Sequence, residues 1–450
     1  MTGARDVAAR VLVRVAKDRA FASATLEAEL ARAVQLEPRD RALTTELVYG
    51  ALRVEPWLLK EVGRFAPRGL DSVDAHVRAH LVIAAYQLYF TRVPAFAAVS
   101  EAVEAVKGQR GPRMSAFANA VLRKVATRAE TLDPAERDEA IVVSTPAWLR
   151  EGLDRALTPE GALAFLKAGI EPPAVALRVE VAAERDAWIE RLRVAAPEAS
   201  FEAGRVSPRA ILARGAGKPQ RLPGWGTGDW TVQEEGSQLA ALAVGARGGE
   251  TALDACAGRG NKTGVLARAV RAGGFDGAVD ACDSGPSKLE RLREELERLH
   301  LTVRGTFAVD WTVGSGDVTG EYDRVLVDAP CTGVGTLRRR PEIGLRRDAT
   351  DLAAKTREQI AITSRAAGHV RPGGALVYVV CSVLREEAED VVSAVLAARP
   401  ELVAAPFDAP EARAVCGDAM AFRLLPNVHG TDGYFVAMLT RRLRSREATL

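Results

Sequence analysis

The chain changes its hydrophobic rhythm partway along. Up to about residue 130 the apolar positions recur at helical spacing: Val7, Val11 and Val15 stand four apart, as do Leu43 and Leu47. Pro38, Pro56, Pro67 and Pro94 punctuate these runs, so the pattern predicts an all-α domain. Residues 131–145 are polar and charged, with Pro134 inside and Pro146 just beyond, and read as a junction. A further helix is expected from Trp148 to about Phe165, stopped by Pro172-Pro173. Ala176–Val179 reads as a strand, and 180–230 mixes a short helix around Trp188–Leu192 with strands and Gly/Pro turns. From Gly236 onward strands and helices alternate, the pattern of a doubly wound sheet. Its expected strands are Thr251–Asp254, Ala278–Asp283, a segment ending at Val309-Asp310, Val325–Asp328 and Ala375–Cys381, with Gly430–Leu439 as an edge hairpin. The fold class is therefore multidomain: an all-α bundle over 1–135, a small α+β linking subdomain over 145–230 and a doubly wound α/β domain over 231–443.

Composition narrows the setting. The chain has 450 residues, 48% hydrophobic and 27% charged, ordinary values for globular domains. Its five cysteines are odd in number and form no CxxC pair, which argues for reduced thiols and a cytoplasmic location. His76 and His80 share a predicted helix but lack a third ligand, so no metal site is expected. No apolar run approaches a membrane span, and the charged amphipathic N-terminus is unlike a signal peptide, so no membrane partner is expected. Net charge is only +2, but basic residues cluster at Arg338–Arg340, at Arg346-Arg347, and at Arg441-Arg442 with Arg444 and Arg446. The first two clusters lie just downstream of a candidate site and favour a nucleic-acid partner.

That site begins at Val325-Leu-Val-Asp328-Ala-Pro-Cys331-Thr-Gly-Val-Gly335. Three branched apolar residues make a buried strand, and Pro330 ends its ladder, presenting Asp328 and Cys331 at the tip. Ligands of open α/β sheets bind just there. Ala375–Cys381 is a second apolar run ending in a cysteine, so two thiols are expected in one cleft. The loop Ala257-Gly258-Arg259-Gly260-Asn261-Lys262-Thr263 lies between a strand and a helix, where backbone N–H groups can approach a ligand. It fits neither the Walker loop, since Asn261 precedes the Lys-Thr pair, nor the dinucleotide fingerprint, since Thr263 stands at the third glycine. Asp283 closes the next strand, where a carboxylate can hold ribose hydroxyls, and Asp310 could meet an adenine amine. A nucleoside cofactor with little demand for phosphate binding points to S-adenosylmethionine.

Two resemblances sharpen this reading. Arg39–Leu43 with Glu46–Arg53, Ala85–Leu88, Val93–Val99 and Ala118–Arg123 resemble the NusB-type RNA-binding bundle. Val232–Gln238, Leu253–Ala257 with Lys262-Thr263, Asp328–Cys331, Arg339–Ile343 and Cys381-Ser382 resemble the RNA cytosine-5 methyltransferase family, whose Rossmann-like domain the third segment would be. The chain from about 5 to 442 is similar to the members that act on bacterial 16S ribosomal RNA. The resemblance implies that Cys256, Ala257, Gly258, Arg259, Gly260, Asn261 and Lys262, with Asp283, Asp310 and Asp328, hold S-adenosylmethionine. It implies that Cys381 attacks an unpaired or flipped cytosine, that Cys331 assists proton removal or release, and that Asp328 holds the cytosine edge. Arg339 and Arg340 are candidates for favouring the thiolate. Three positions depart from the family pattern: Gly258–Asn261 replaces Ala-Pro-Gly-Gly, Val380 replaces threonine and Ala388 replaces asparagine. Two alternatives stay open, a related cytosine-5 methyltransferase acting on transfer RNA or another ribosomal site and a non-catalytic RNA-binding or assembly factor that keeps the fold; the target nucleotide and the oligomeric state are not legible.

Overall fold

The computed structural model describes residues 3–18 and 20–443; Arg444 and Arg446 lie outside the described residues. The chain forms two compact units, Met1–Pro172 with Leu337–Asp348, and Pro173–Thr336 with Ala349–Leu450.

The first unit is helical. Its six leading helices are α1 (Ala4–Asp18), α2 (Ala22–Arg32), α3 (Pro38–Arg53), α4 (Glu55–Gly63), α5 (Ala75–Phe90) and α6 (Ala95–Glu130). The spacing-four valines of α1 are all buried, Val11 and Val15 in the main core and Val7 against Ala33 and Leu36. The helix α5 is buried on nearly every side, from Val77 through Tyr86, which makes it the central helix. Asp74 caps it by accepting from the His76 and Val77 N–H groups at 3.0 and 3.3 Å. His80 is buried within it beside Gln109 and Asp6, a core position. The helix α6 is broken at Gly111 (φ 79°)-Pro112, as a proline lacking its N–H requires. The helix Ala147–Ala168 also belongs to this unit, and so does the segment Leu337–Asp348. Arg53 donates to the Arg338 carbonyl at 2.8 Å, and the Ala22 N–H donates to Glu342 at 3.1 Å. The Arg338–Arg340 and Arg346-Arg347 clusters thus fall in the helical unit, although the third segment was expected to run unbroken over 231–443.

The second unit contains two sheets. The smaller is antiparallel, from β1 (Val175–Val179), β2 (Ser200–Ala203), β3 (Ala210–Arg214) and β4 (Trp230–Val232), in the order β2-β3-β1-β4. Leu177, Phe201, Ile211 and Trp230 pack with the helix Arg185–Ala195 beneath it. The larger sheet holds β5 (Thr251–Asp254), β6 (Ala278–Asp283), β7 (Gly305–Ala308), β8 (Tyr322–Asp328), β9 (Val370–Val380), β10 (Leu402–Ala404), β11 (Ala421–Leu424) and β12 (Tyr434–Arg441). Its order is β10-β12-β9-β8-β5-β6-β7, with β11 also on β12. The run β9-β8-β5-β6-β7 is parallel; β12 is antiparallel to β9. The chain leaves β5 toward β6 and β7, then returns to β8 on the other side of β5. This reversal opens a crevice at the carboxyl ends of β5 and β8.

One expectation is corrected here. The closing strand is not at an edge: β12 lies between β9 on one side and β10 and β11 on the other, and Tyr434–Leu439 are all buried. The all-apolar run is that of a strand covered on both faces.

Candidate active site

The crevice holds a cavity of about 370 Å³ lined by the ends of β5, β6, β8 and the β7 loop. Asp283, Asp310 and Asp328 contribute carboxylates, and Val309, Trp311, Pro330 and Ile362 contribute apolar wall. Gly258, at φ 57°, lies on this wall, and nothing stands within 4 Å of where its side chain would be. Its backbone is therefore open to a ligand. Its N–H donates to Asp283 at 3.1 Å, so the carboxylate also shapes the loop. The Gly285 N–H and Lys288 ammonium reach Asp283 at 2.8 and 3.0 Å. Asp310 is exposed, and Thr312 donates to it through both N–H and hydroxyl, which holds its pKa below the usual carboxylate range. Trp311 donates its indole N–H to the Ala255 carbonyl at 2.8 Å, fixing the ring against the wall.

The rest of the glycine loop shapes the turn. Gly260 takes φ 86° and opens the helix Asn261–Val270; a side chain there would meet Leu292. Ala257 is buried and bonded through its N–H to the Cys282 carbonyl. Arg259 is exposed and, like Ala257, Gly260 and Asn261, is not part of the cavity wall. The Asn261 carbonyl accepts from Arg178 at 2.6 Å. Arg178 is wholly buried on β1 and also bonds Glu180 and Gln233, so the small sheet braces the loop.

Lys262 points at Asp328, 2.6 Å away. Burial works against its charge, yet the attraction of Asp328 outweighs it and raises the Lys262 pKa; Cys381 also acts on it. Burial pushes the pKa of Asp254, at the end of β5, up to about 7, against the hydrogen bond from Thr263 at 2.7 Å. Cys256 lines the cavity, and burial beside Asp254, Asp328 and Asp283 raises its thiol pKa well above the ordinary range, a poor setting for a nucleophile.

The two expected cysteines meet. The Sγ atoms of Cys331 and Cys381 lie 3.2 Å apart, both partly exposed. The register pairs Asp328 with Val379, so both chains leave neighbouring parallel strands at the same level. The Gly335 N–H donates to the Cys381 carbonyl at 3.0 Å, and a side chain on Gly335 would strike that carbonyl and Gly433. The hydrogen bond with Cys381, then burial and the Glu387 charge, raise the Cys331 pKa well above its ordinary value. Sequence reasoning missed Trp311, Ile362, Arg178 and Glu387; only Trp311, adjacent to Asp310, carried any signal.

A glycine turn, a carboxylate closing the second strand and a cavity at the strand-order reversal are the marks of a Rossmann-like nucleotide-cofactor domain, here with two thiols together just past the ends of β8 and β9. Residues 241–440 match the family described as 16S rRNA methyltransferase RsmB/F, and residues 2–127 match the NusB family. A Pseudomonas putida protein named ribosomal RNA small subunit methyltransferase B is 33% identical over 98% of this chain and 99% of its own. A Bacillus subtilis protein, named probable ribosomal RNA small subunit methyltransferase B, is 29% identical over 98% and 99%. Among solved structures, PH0851 superposes with a TM-score of 0.78 at 22% identity, covering 97% of this chain and 98% of that one. NSun6 from Pyrococcus horikoshii, solved with SFG, gives 0.56 at 19% identity, covering 67% and 99%. The chain belongs to the RsmB/F family of 16S rRNA methyltransferases, with a NusB-family domain at its N-terminus.

Proposed function

We propose that this protein transfers a methyl group from S-adenosylmethionine to carbon 5 of a cytosine in 16S rRNA, in the cytoplasm, through a covalent cysteine adduct. The observation that carries the reading is the 3.2 Å approach of Cys331 to Cys381, with Cys331 next in the chain to Pro330, which lines the cavity together with Asp283 and Asp328. The cavity's chemistry fits the cofactor: Asp283 offers acceptors to ribose hydroxyls, Val309, Trp311 and Ile362 offer apolar surface to adenine, and Gly258 leaves the backbone accessible. SFG, an S-adenosylmethionine analogue, in the structural neighbour supports the same reading. When bound, the cofactor supplies an electrophilic methyl on a sulfonium.

Cytosine carbon 5 is a poor nucleophile until a thiolate adds to carbon 6 and leaves an enamine. Cys381 forms that C–S bond, with Lys262 as the nearby positive charge. Asp328 accepts from the cytosine edge and stabilises the adduct. After carbon 5 is methylated its proton must leave, and the electrons of that C–H bond restore the ring double bond and expel the Cys381 thiolate. Cys331, held as a thiol, gives its proton to the departing Cys381 sulfur as it takes the proton from carbon 5, so one proton passes from carbon 5 to Cys381 through Cys331 and both thiols are regenerated. The cytosine must be unpaired or flipped to reach Cys381. The NusB-family domain docks the RNA. Methyl transfer from labelled cofactor to deproteinised 16S rRNA, with the modified base mapped, tests the reading. Label in 5-methylcytosine supports it; label in another base, or only in transfer RNA, refutes it.

A further inference from the structure

Glu387 has no exposed surface, yet it is a carboxylate six residues beyond Cys381. Such a group is costly to bury unless its oxygens are hydrogen-bonded. One oxygen accepts the Thr332 N–H at 2.7 Å and the Gln359 amide at 2.9 Å; the other accepts the Thr332 hydroxyl at 2.5 Å. Gln359 also donates to the Pro330 carbonyl at 3.1 Å. The residues immediately before and after Cys331 are therefore both tied, directly or through Gln359, to one buried side chain. Tyr378, on β9, donates its hydroxyl to the Glu387 carbonyl at 2.7 Å, which anchors the clamp to the strand that leads into Cys381.

We propose that Glu387 is the positioning residue of Cys331: it holds the Pro330–Thr332 turn so that the Cys331 thiol faces Cys381 and serves adduct release. This deepens the reading above and rests on it. Gln359 and Thr332 transmit the restraint, since each touches the turn and Glu387 together. The negative charge of Glu387 also opposes ionisation of Cys331, keeping on its sulfur the proton that passes to the departing Cys381 sulfur. Attack by Cys381 needs neither effect.

The test uses the full chain with 16S rRNA and S-adenosylmethionine, comparing the parent, Glu387→Gln, Cys331→Ser and the double variant. The readouts are the lifetime of the denaturant-stable protein–RNA complex, turnover and cofactor Kd. Glu387→Gln keeps the shape but removes the charge, and should lengthen the complex lifetime about tenfold while cofactor Kd stays within about twofold. In the Cys331→Ser background it should add less than about twofold, because the group it positions is gone. Thr332→Val deletes one bond of the clamp, should give the same phenotype in weaker form, and decides the matter if Glu387→Gln does not fold. Release as fast as in the parent overturns the proposal, and so does an equal further slowing on top of Cys331→Ser. If Cys331→Ser traps no complex, the assignment of the release step fails instead; non-additive turnover of the two changes then still supports positioning, and additive turnover overturns it.

Discussion

Asp254 makes the stability of the cofactor domain depend on pH in an unusual direction. Its side chain has no solvent exposure, and burial raises its pKa from an ordinary 3.8 to about 7. The unfolded chain gives up this proton near 3.8, the folded chain only near 7. Below 3.8 both states carry it, so the full stability is present. Between the two values the folded state alone holds a proton, so stability falls as pH rises, and above about 7 the penalty is complete. A separation of roughly three units is worth about 4 kcal/mol, of which about 2 kcal/mol develops between pH 5.5 and 8.5. Asp254→Asn keeps an acceptor for the Thr263 hydroxyl and cannot ionise. Urea unfolding followed by tryptophan fluorescence is a fitting assay, because the Trp311 indole is bonded to the carbonyl next to Asp254. The parent should lose roughly 2 kcal/mol more than Asp254→Asn between those pH values. Equal pH slopes, or a steeper loss in the variant, would show that Asp254 ionises normally and refute the reasoning.

Three further outcomes are expected. Asp283→Ala should weaken S-adenosylmethionine binding by about 1–3 kcal/mol, the scale of charge-assisted hydrogen bonds; calorimetry showing unchanged affinity in a folded variant removes Asp283 from the site. Arg178→Met should lower stability by about 1–3 kcal/mol, since Gln233 and one oxygen of the buried Glu180 lose their partner while Arg268 still pairs with the other oxygen, and cofactor affinity should fall with it as the Asn261 turn loses its brace. Thermal unfolding with and without cofactor checks both parts. Cys381→Ser should abolish methyl transfer and form no adduct, whereas Cys331→Ser should accumulate a denaturant-stable protein–RNA band on a gel; the opposite pattern exchanges the roles.

Local chemistry made much of this fold readable. The strands β5, β6 and β8 lie where the apolar runs and terminal acids put them, because each is a short buried strand stopped by a turn. The strand β9 begins at Val370, five residues before the expected start. Arg371-Pro-Gly-Gly374 reads as a turn, but a register shift opposite Tyr322/Arg324 lets the ladder absorb it. The edge assignment of β12 failed because its neighbours β10 and β11 are only three and four residues long and carry little pattern. The union of Leu337–Asp348 with the helical unit depends on bonds such as Arg53 to Arg338, across 285 positions, which no window of sequence contains. The same holds for Glu387, whose meaning lies wholly in its contacts.

The pairing of the thiols follows from the topology of the sheet. Neighbouring strands lie about 4.8 Å apart, and parallel ones release their chains on the same side. Residues just past the ends of β8 and β9 are then within reach of one another without any specialised loop, provided the two strands end level, as Asp328 opposite Val379 ensures. An antiparallel pair would have sent the cysteines to opposite edges. In the proposed reaction proximity alone would not divide the work, because two equivalent thiols would compete for the same carbon. The surroundings break the equivalence: the buried Glu387 clamp stands around Cys331, while Lys262 acts on Cys381. The negative charge of Glu387 opposes ionisation of the Cys331 thiol, which in the proposed reaction suits that sulfur to release rather than attack.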